Sequence, residues 1–386
     1  MLTKNIDLTN FLNTKKNVQI IKIFNNLKKN FKKKKDRLLL SLSQNYEYYF
    51  TINQIKKYKK FKFFNIIGMG GSALGTAAIY TFLKFKIKKK FFFFNNLNLK
   101  KTIQNKELNI FVSKSGNTLE TILNLHSISK KKKSIFITEN KNNYLRRIAQ
   151  QMKSEIFEHK DYIGGRYSVL SEVGMLPAYL MGLNIKKFRK NLLTNFKLKN
   201  KDFLKESSTI FASLLLQKKF KNLIFLNYSP KLNKFLSWYQ QLIAESLGKK
   251  NKGFLPVIST APKDHHSLLQ LYMDGPKDKL FYIFSEIKKK DKVVKTINLD
   301  PNIKFLNNKN LAEIKIAQKN ALIQALKKAN IPFREIKIKN FNEETLGQLF
   351  SYFILETALI GIVANVNPFD QPAVEQVKIN TKYFLK

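Results

Sequence analysis

The sequence predicts an α/β protein of two doubly wound parallel-sheet domains, with a helical segment at each end of the chain. Three observations lead there. At 386 residues the chain is long for one core and suits two. Short β-rich runs alternate with longer amphipathic ones, the pattern of parallel strands joined by helical crossovers. Several strand-to-helix junctions also carry glycine or hydroxyl residues, where such folds bind ligands.

Taken in order, residues from Ile6 to about Lys60 place apolar side chains at helical spacing between lysines, so a helical segment is expected over 1–60. A first domain is expected over 61–190. It has strands at Phe61–Ile67, Phe91–Phe94, Asn109–Val112 and Ser134–Thr138, a helix through Leu83, and another from Thr118. A helical stretch from Leu192 to Phe220 opens a second domain over 191–365. Strands follow at Asn222–Asn227, Leu280–Ser285, Val293–Leu299 and Phe333–Ile338, with helices at Leu232–Leu247, Leu311–Ala329 and Glu343–Val363. Residues 366–386 form a C-terminal segment. No repeat between the halves is visible in the sequence.

The uncharged run Phe63–Leu83 is long enough to cross a bilayer. Its centre reads Gly68-Met69-Gly70-Gly71-Ser72, with Gly75 close behind, which suits a strand, a tight loop and a helix better. Residues 1–16 contain no continuous apolar stretch of the kind a secretory signal needs. The expectation is a cytoplasmic protein with no membrane partner.

Lys and Arg number 71 against 26 acidic residues, a formal charge of +45. Charge alone suggests a nucleic-acid or membrane-surface protein. However, Lys, Asn, Ile, Phe and Tyr are inflated together, as an AT-rich coding bias would make them, and phosphate binding has no need of Phe. The runs at Lys32–Lys35, Lys130–Lys133 and Lys288–Lys290 sit beside or between periodic segments, as connectors do. No specific nucleic-acid partner is expected, although a positive surface steers an anionic substrate inward. The absence of cysteine excludes disulfides, thiolate catalysis and Cys-based zinc sites. With four histidines besides, a metal site would be hard to build, and none is expected.

Six segments carry chemistry. Gly68 to Gly75 lets a backbone approach a ligand at a helix start. Ser113-Lys114-Ser115-Gly116-Asn117-Thr118 puts three hydroxyls at a helix N-terminus. One would suffice for capping, so three favour an anion cradle. Gly164-Gly165-Arg166-Tyr167-Ser168 can hold a guanidinium tight against an oxygen. Gln241 and Glu245 share a helix face at i, i+4. Asp264-His265-His266-Ser267 and Asn367-Pro368-Phe369-Asp370-Gln371, running on to Lys378, complete the set. Taken singly, each has an ordinary structural explanation: a helix cap, a solvated glutamate, a surface cation, a structural histidine.

Their order decides the matter. The motifs Gly-x-Gly-Gly-Ser, Ser-Lys-Ser-Gly-x-Thr, Gly-Gly-Arg-Tyr-Ser, Gln-x-x-x-Glu-Ser-x-Gly-Lys, His-Ser-x-x-Gln and Asn-Pro-Phe-Asp-Gln occur from Gly68 to Lys378 as in the glucose-6-phosphate isomerase family. The chain resembles that family, whose members are built on two flavodoxin-like sugar isomerase (SIS) domains.

The resemblance implies an aldose–ketose isomerase of glycolysis and gluconeogenesis, interconverting glucose 6-phosphate and fructose 6-phosphate by ring opening and cis-enediol proton transfer without a metal or organic cofactor. It implies Glu245 as base, Arg166 as stabiliser of the enediolate, and His266 with Lys378 in ring opening, His265 remaining the alternative ring. It also implies Ser113, Ser115 and Thr118 as the phosphate loop, and Gly71, Ser72, Gln241 and Gln371 as substrate contacts. A homodimer is implied, with His266 crossing to the partner's site. Departures from the family pattern are Asn117 for Thr, Leu247 for Asn, and Ala373 and Val377 for glycines. A dual phosphoglucose/phosphomannose isomerase and a non-catalytic sugar-phosphate sensor are the alternatives.

Overall fold

The structure, a computed structural model, describes residues 3–9, 22–23, 25–26, 29, 40–97, 107–127, 133–193, 203–287, 292–293 and 300–385. Ten strands are present among these: β1 Ile6–Thr9, β2 Phe63–Ile67, β3 Lys90–Phe94, β4 Glu107–Val112, β5 Ser134–Thr138, β6 Glu155–Glu158, β7 Asn222–Asn227, β8 Leu255–Thr260, β9 Lys279–Glu286 and β10 Phe333–Ile338. The longer helices are α1 Gly71–Phe82, α2 Leu119–Ser127, α3 Tyr144–Gln151, α4 Glu172–Leu180, α5 Phe203–Leu216, α6 Asn233–Leu247, α7 Leu311–Lys328, α8 Glu343–Val363 and α9 Pro372–Phe384.

The strands form two five-stranded sheets, ordered β3-β2-β4-β5-β6 and β1-β10-β9-β7-β8. Every pairing in the first sheet is parallel. In the second, only β1 runs antiparallel, against β10. Counted within its own unit, the first sheet has the doubly wound order 2-1-3-4-5. The second repeats 2-1-3-4 before β1 closes its edge. The halves thus share a topology without sharing a readable sequence. The switch point of the first sheet lies between β2 and β4, where the chain leaves in opposite directions.

The stretch Phe63–Leu83 resolves into β2, a glycine loop and α1, all strongly buried. Apolar strands covered on both faces and apolar helices between sheets need no membrane to account for them. The same holds for α8, apolar enough to cross a bilayer by composition, with 89% of its apolar window buried inside the protein.

One expectation needs correction. Ile6 to Thr9 does not begin a helix. Its period-2 pattern, with Ile6 and Leu8 buried and Thr9 exposed, makes it the edge strand of the second sheet. Further along the described part of this region, Lys22, Ile23, Asn25, Asn26, Lys29 and Leu40 are helical, and a short helix follows at Ile52–Lys56, opened by a capping box from Thr51 and Gln54. Strands β6 and β8 were also unforeseen. The expected strand Val293–Leu299 lies outside the described residues except for Val293, which makes an isolated bridge to Asn310. The three lysine runs lie outside them too, apart from Lys133.

Candidate active site

The carboxyl ends of β2 and β4 set the first two loops side by side. Gly68 lies against the Val112 carbonyl, where a Cβ would be only 2.7 Å away. In the loop after β4, the Ser113 hydroxyl bonds that of Thr118 at 2.9 Å and accepts the Gly116 N–H at 3.2 Å. Ser115 is exposed and accepts the Asn117 N–H. Helix α2 makes its first intrahelical bond from the Ile122 N–H to the Thr118 carbonyl. The N–H groups of residues 119–121 precede that bond and face the loop, as helix starts do toward anions.

Gly116 adopts φ +67°, and a Cβ there would fall 1.9 Å from Asn143 Oδ1. Asn143 caps α3 by accepting the Arg146 N–H at 2.9 Å. The Leu145 N–H reaches back to the Gly116 carbonyl and the Tyr144 N–H to Asn117 Oδ1, both at 3.1 Å. The start of α3 is therefore spent on holding the loop.

The glycine loop brings the second half of the chain to the same place. A Cβ on Gly71 would lie 2.2 Å from the Gly165 carbonyl carbon, so only glycine admits the segment that carries Arg166. Ser72, nearly buried, follows in the first turn of α1. Helix α6 packs along α1, and Gly70 touches the Gln241 carboxamide. Gln241 Nε2 donates to Glu245 Oε1 at 2.9 Å, the i, i+4 contact on one helix face.

Arg166 is the centre. It is buried, and every nitrogen of its guanidinium has a partner. Nε donates to Ser246 Oγ at 2.8 Å. Nη1 donates to Glu245 Oε2 at 3.2 Å and to Gln371 Oε1. Nη2 donates to the carbonyls of Pro368 at 2.6 Å and Asp370 at 2.9 Å. Tyr167 supports it from beside, bonding Ser246 Oγ and the Pro368 carbonyl, and Trp238 Nε1 donates to the Arg166 carbonyl at 3.0 Å. The Glu245 side chain keeps 29% of its surface exposed, against 1% for Arg166. A cavity of about 920 Å³ lies beside Glu245 and Gln371. The pair can therefore work as a carboxylate open to a ligand next to a fixed cation that cannot lose its proton.

Glu245, Arg166, Gln241 and Gln371 are thus joined by direct contacts, next to the loops of Gly71, Ser72, Ser113, Ser115 and Thr118. Two predicted residues are not brought in. His266 lies on the turn beyond the carboxyl end of β8 and is not buried. Gln240, at the middle of α6, donates to the Pro256 carbonyl at the start of β8 at 2.8 Å, and the helix runs on from there to Glu245. Glu245 and His266 therefore stand at opposite ends of the second sheet, on the order of 20 Å apart by helix and strand rise. The neighbouring His265 ring is taken by the Tyr228 hydroxyl at 2.8 Å. Lys378 lies about 10 Å along α9 from Gln371, with its ammonium on Glu375 at 2.6 Å and both side chains exposed. Helix α9 has no buried residue in this chain.

Sequence reasoning did not single out Asn143, Trp238 or Lys249. Lys249 stood inside a quoted motif, and Asn143 was visible only as an ordinary N-cap signal.

A buried arginine and a partly exposed helix glutamate thus lie beside a loop of hydroxyls and backbone N–H groups at the switch point of a doubly wound sheet, an arrangement suited to an anionic ligand. The sequence profile of the Phosphoglucose isomerase family matches residues 54–261. Glucose-6-phosphate isomerase of Methanocaldococcus jannaschii is 34% identical over 338 residues, covering 81% of this chain and 82% of its own. That of Carboxydothermus hydrogenoformans is 32% identical, covering 83% and 78%. The chain belongs to the phosphoglucose isomerase family. Among solved structures, a hypothetical protein from Thermus thermophilus superposes with a TM-score of 0.83 at 26% identity, covering 95% of this chain and 94% of that one. A glucose-6-phosphate isomerase from Chlamydia trachomatis shares the fold, with a TM-score of 0.71 at 19% identity, covering 86% and 71%.

Proposed function

We propose that this protein interconverts glucose 6-phosphate and fructose 6-phosphate, and that the contact between Arg166 and Glu245 is where it does so. Family membership supports the reaction, and that contact is the observation that carries the site. The phosphate docks at Ser113, Ser115 and Thr118 on the start of α2, far from the reacting carbons, and its binding energy orients the sugar. Gly71, Ser72, Gln241 and Gln371 line the path between. Glu245 removes the proton from C2 of the open-chain aldose. The electron pair forms the C1–C2 double bond of a cis-enediol(ate) as the C1 carbonyl pair moves to O1. The hydroxyl proton passes from O2 to O1, O2 becomes the new carbonyl, and the same carboxylate returns the carbon-bound proton to C1.

Arg166 stabilises the oxygen on which negative charge develops. Preorganised donors of this kind contribute on the order of 3 kcal/mol each to lowering the barrier. The guanidinium is held by Ser246 and two backbone carbonyls, so it need not reorganise as charge appears.

Ring opening is assigned to His266 and Lys378. His266 is the freer of the two histidine rings, and its distance from Glu245 supports delivery from a second copy. A homodimer is the reading adopted here. Helix α9, with Val377, Ile379, Tyr383 and Phe384 exposed, supports it independently, because an isolated helix of this length is marginal in water. The domains assigned are 61–190 and 191–365, each with a sheet, and the compartment is the cytoplasm.

The test is conversion of fructose 6-phosphate by the purified protein, with mannose 6-phosphate in parallel and a chelator present. Formation of glucose 6-phosphate alone is expected. Turnover of both sugars would make it a dual isomerase, and turnover of neither would leave a sugar-phosphate sensor.

A further inference from the structure

The turn that carries Gln371 is gripped from two sides. On one side Arg166 and Tyr167 donate to the carbonyls of Pro368 and Asp370. On the other, the Lys249 ammonium donates to the Asp370 carbonyl at 2.7 Å, lies 2.8 Å from Asp370 Oδ1, and donates to the Asn367 carbonyl. Asp370 Oδ2 accepts Asn367 Nδ2 at 2.9 Å, closing the turn on itself. Both cations thus meet at one carbonyl oxygen, that of Asp370.

Lys249 lies four residues after Glu245, just past the Gly248 that ends α6, and lines the same cavity as Glu245 and Gln371. Its side chain is mostly buried, which a surface lysine's would not be. Its neighbours Lys250 and Lys252 reach the carbonyls of Asn365 and Ala364, where α8 ends. They fasten the start of the segment that Lys249 fastens at the turn. The ammonium in turn holds the Asp370 carboxyl below its ordinary range.

We infer that Lys249 is a positioning residue for the isomerisation: through Asp370 it sets Gln371 against Arg166 and so fixes the guanidinium relative to the Glu245 carboxylate. This rests on the reading of Glu245 and Arg166 given above. The physical cause is specific. Without the ammonium, the Asn367 carbonyl and the Asp370 carboxylate lose their common donor, and the turn is held from the Arg166 side alone. Gln371 can then drift, and Arg166 Nη1, shared between Gln371 and Glu245, shifts toward the base. Misplacement by about 1 Å can cost on the order of a hundredfold in rate. The phosphate loop at 113–118 is untouched, so most of the substrate affinity is preserved, the contact with Gln371 being only one of several.

The test measures kcat and KM for fructose 6-phosphate, with a thermal melt for each variant. Lys249→Ala should lower kcat by about tenfold or more while KM stays within about twofold, the signature of an interaction made in the transition state. Lys249→Arg, which can still donate to the carboxylate and the carbonyls, should recover most of that loss. Asp370→Asn, an isosteric change at a half-exposed position, should lower kcat in the same direction. It keeps the question open to test if Lys249→Ala does not fold. The double variant should be no slower than Lys249→Ala, because the two residues act as one unit.

A wild-type kcat in Lys249→Ala, a rise in KM with kcat unchanged, or multiplicative losses in the double variant would each overturn the inference. Glu245→Gln run alongside separates the two readings. If it is inactive while Lys249→Ala is unimpaired, only the role of Lys249 fails. If it retains full turnover, the active site itself has been misassigned.

Discussion

Gln240 and Pro256 are joined by a 2.8 Å hydrogen bond from the Gln240 carboxamide to the Pro256 carbonyl, and that bond brings the middle of α6 to the amino end of β8. It places Glu245 at the amino end of β8 and leaves His266 beyond the carboxyl end. If Glu245 is the base and His266 opens the ring, as proposed above, the two serve one substrate only when they come from different chains.

Subunit complementation follows from that geometry. Glu245→Gln and His266→Ala should each be severely impaired as homodimers. Unfolded together and refolded as a mixture, they should regain about a quarter of wild-type activity. Random pairing of a two-fold dimer makes half the molecules mixed, and each mixed dimer holds one intact site of two. Absence of recovery, with mixed dimers verified by differential tagging, would place the ring-opening group within the same chain as Glu245.

Arg166→Lys should lower kcat on the order of a hundredfold or more, the usual scale for losing a preorganised donor at developing negative charge. A lysine keeps the charge but has one ammonium where the structure has a planar fork reaching Ser246, Gln371, Glu245 and two carbonyls. Steady-state rates on folded protein, verified by melting, decide the point. A variant that raises KM alone would put Arg166 in ground-state binding instead.

Gly116→Ala should act on substrate affinity. The residue sits at φ +67°, and the added methyl would collide with Asn143, which caps α3 and anchors the loop. If the loop holds the phosphate, as proposed above, its displacement weakens those contacts equally in ground and transition states. KM for fructose 6-phosphate should therefore rise by about tenfold with little change in kcat. Inhibition by inorganic phosphate should weaken in step. Unchanged phosphate inhibition would mean that the anion sits elsewhere.

Much of this architecture was legible because its signals are local. The runs at Ser134–Thr138 and Phe333–Ile338, and the helix at Glu343–Val363, coincide with the observed elements, since apolar periodicity and turn residues suffice to mark them. Strand β1 was hidden because its four residues open a lysine-rich stretch with helical spacing, while its partner Ile338 lies at the far end of the chain. Strands β6 and β8 were hidden by glutamates at both ends of one and a proline inside the other. The candidate site was legible only through the ordered motifs. Nothing in local spacing pairs Arg166 with Glu245, 79 residues on, or with Gln371, 205 residues on. The roles of Lys249 and Asn143 depend on backbone carbonyls and N–H groups brought close by folding, which no residue type announces.

His159 ties acid stability to the same region. It follows β6 directly, and its N–H bonds the Thr138 carbonyl at 2.9 Å, beneath the segment of Lys114 and Glu139 that braces the anion loop. Burial pushes its imidazole down from an ordinary 6.5 to about 4, against a smaller opposing effect of the Lys160 carbonyl. The folded protein therefore holds a neutral ring where the unfolded chain holds a charged one. Between those two values the unfolded state binds the extra proton, so stability rises with pH there. The contribution is complete above about pH 6.5 and is lost as the pH falls toward 4, by at most on the order of 1 kcal/mol per pH unit. His159→Gln carries no such proton. The difference in unfolding free energy between wild type and variant, measured by urea denaturation from pH 4 to 7.5, should change with that slope below 6.5 and level off above it. Parallel profiles for the two proteins would show that the ring is protonated in the fold, and that its burial is relieved by water or a counter-charge.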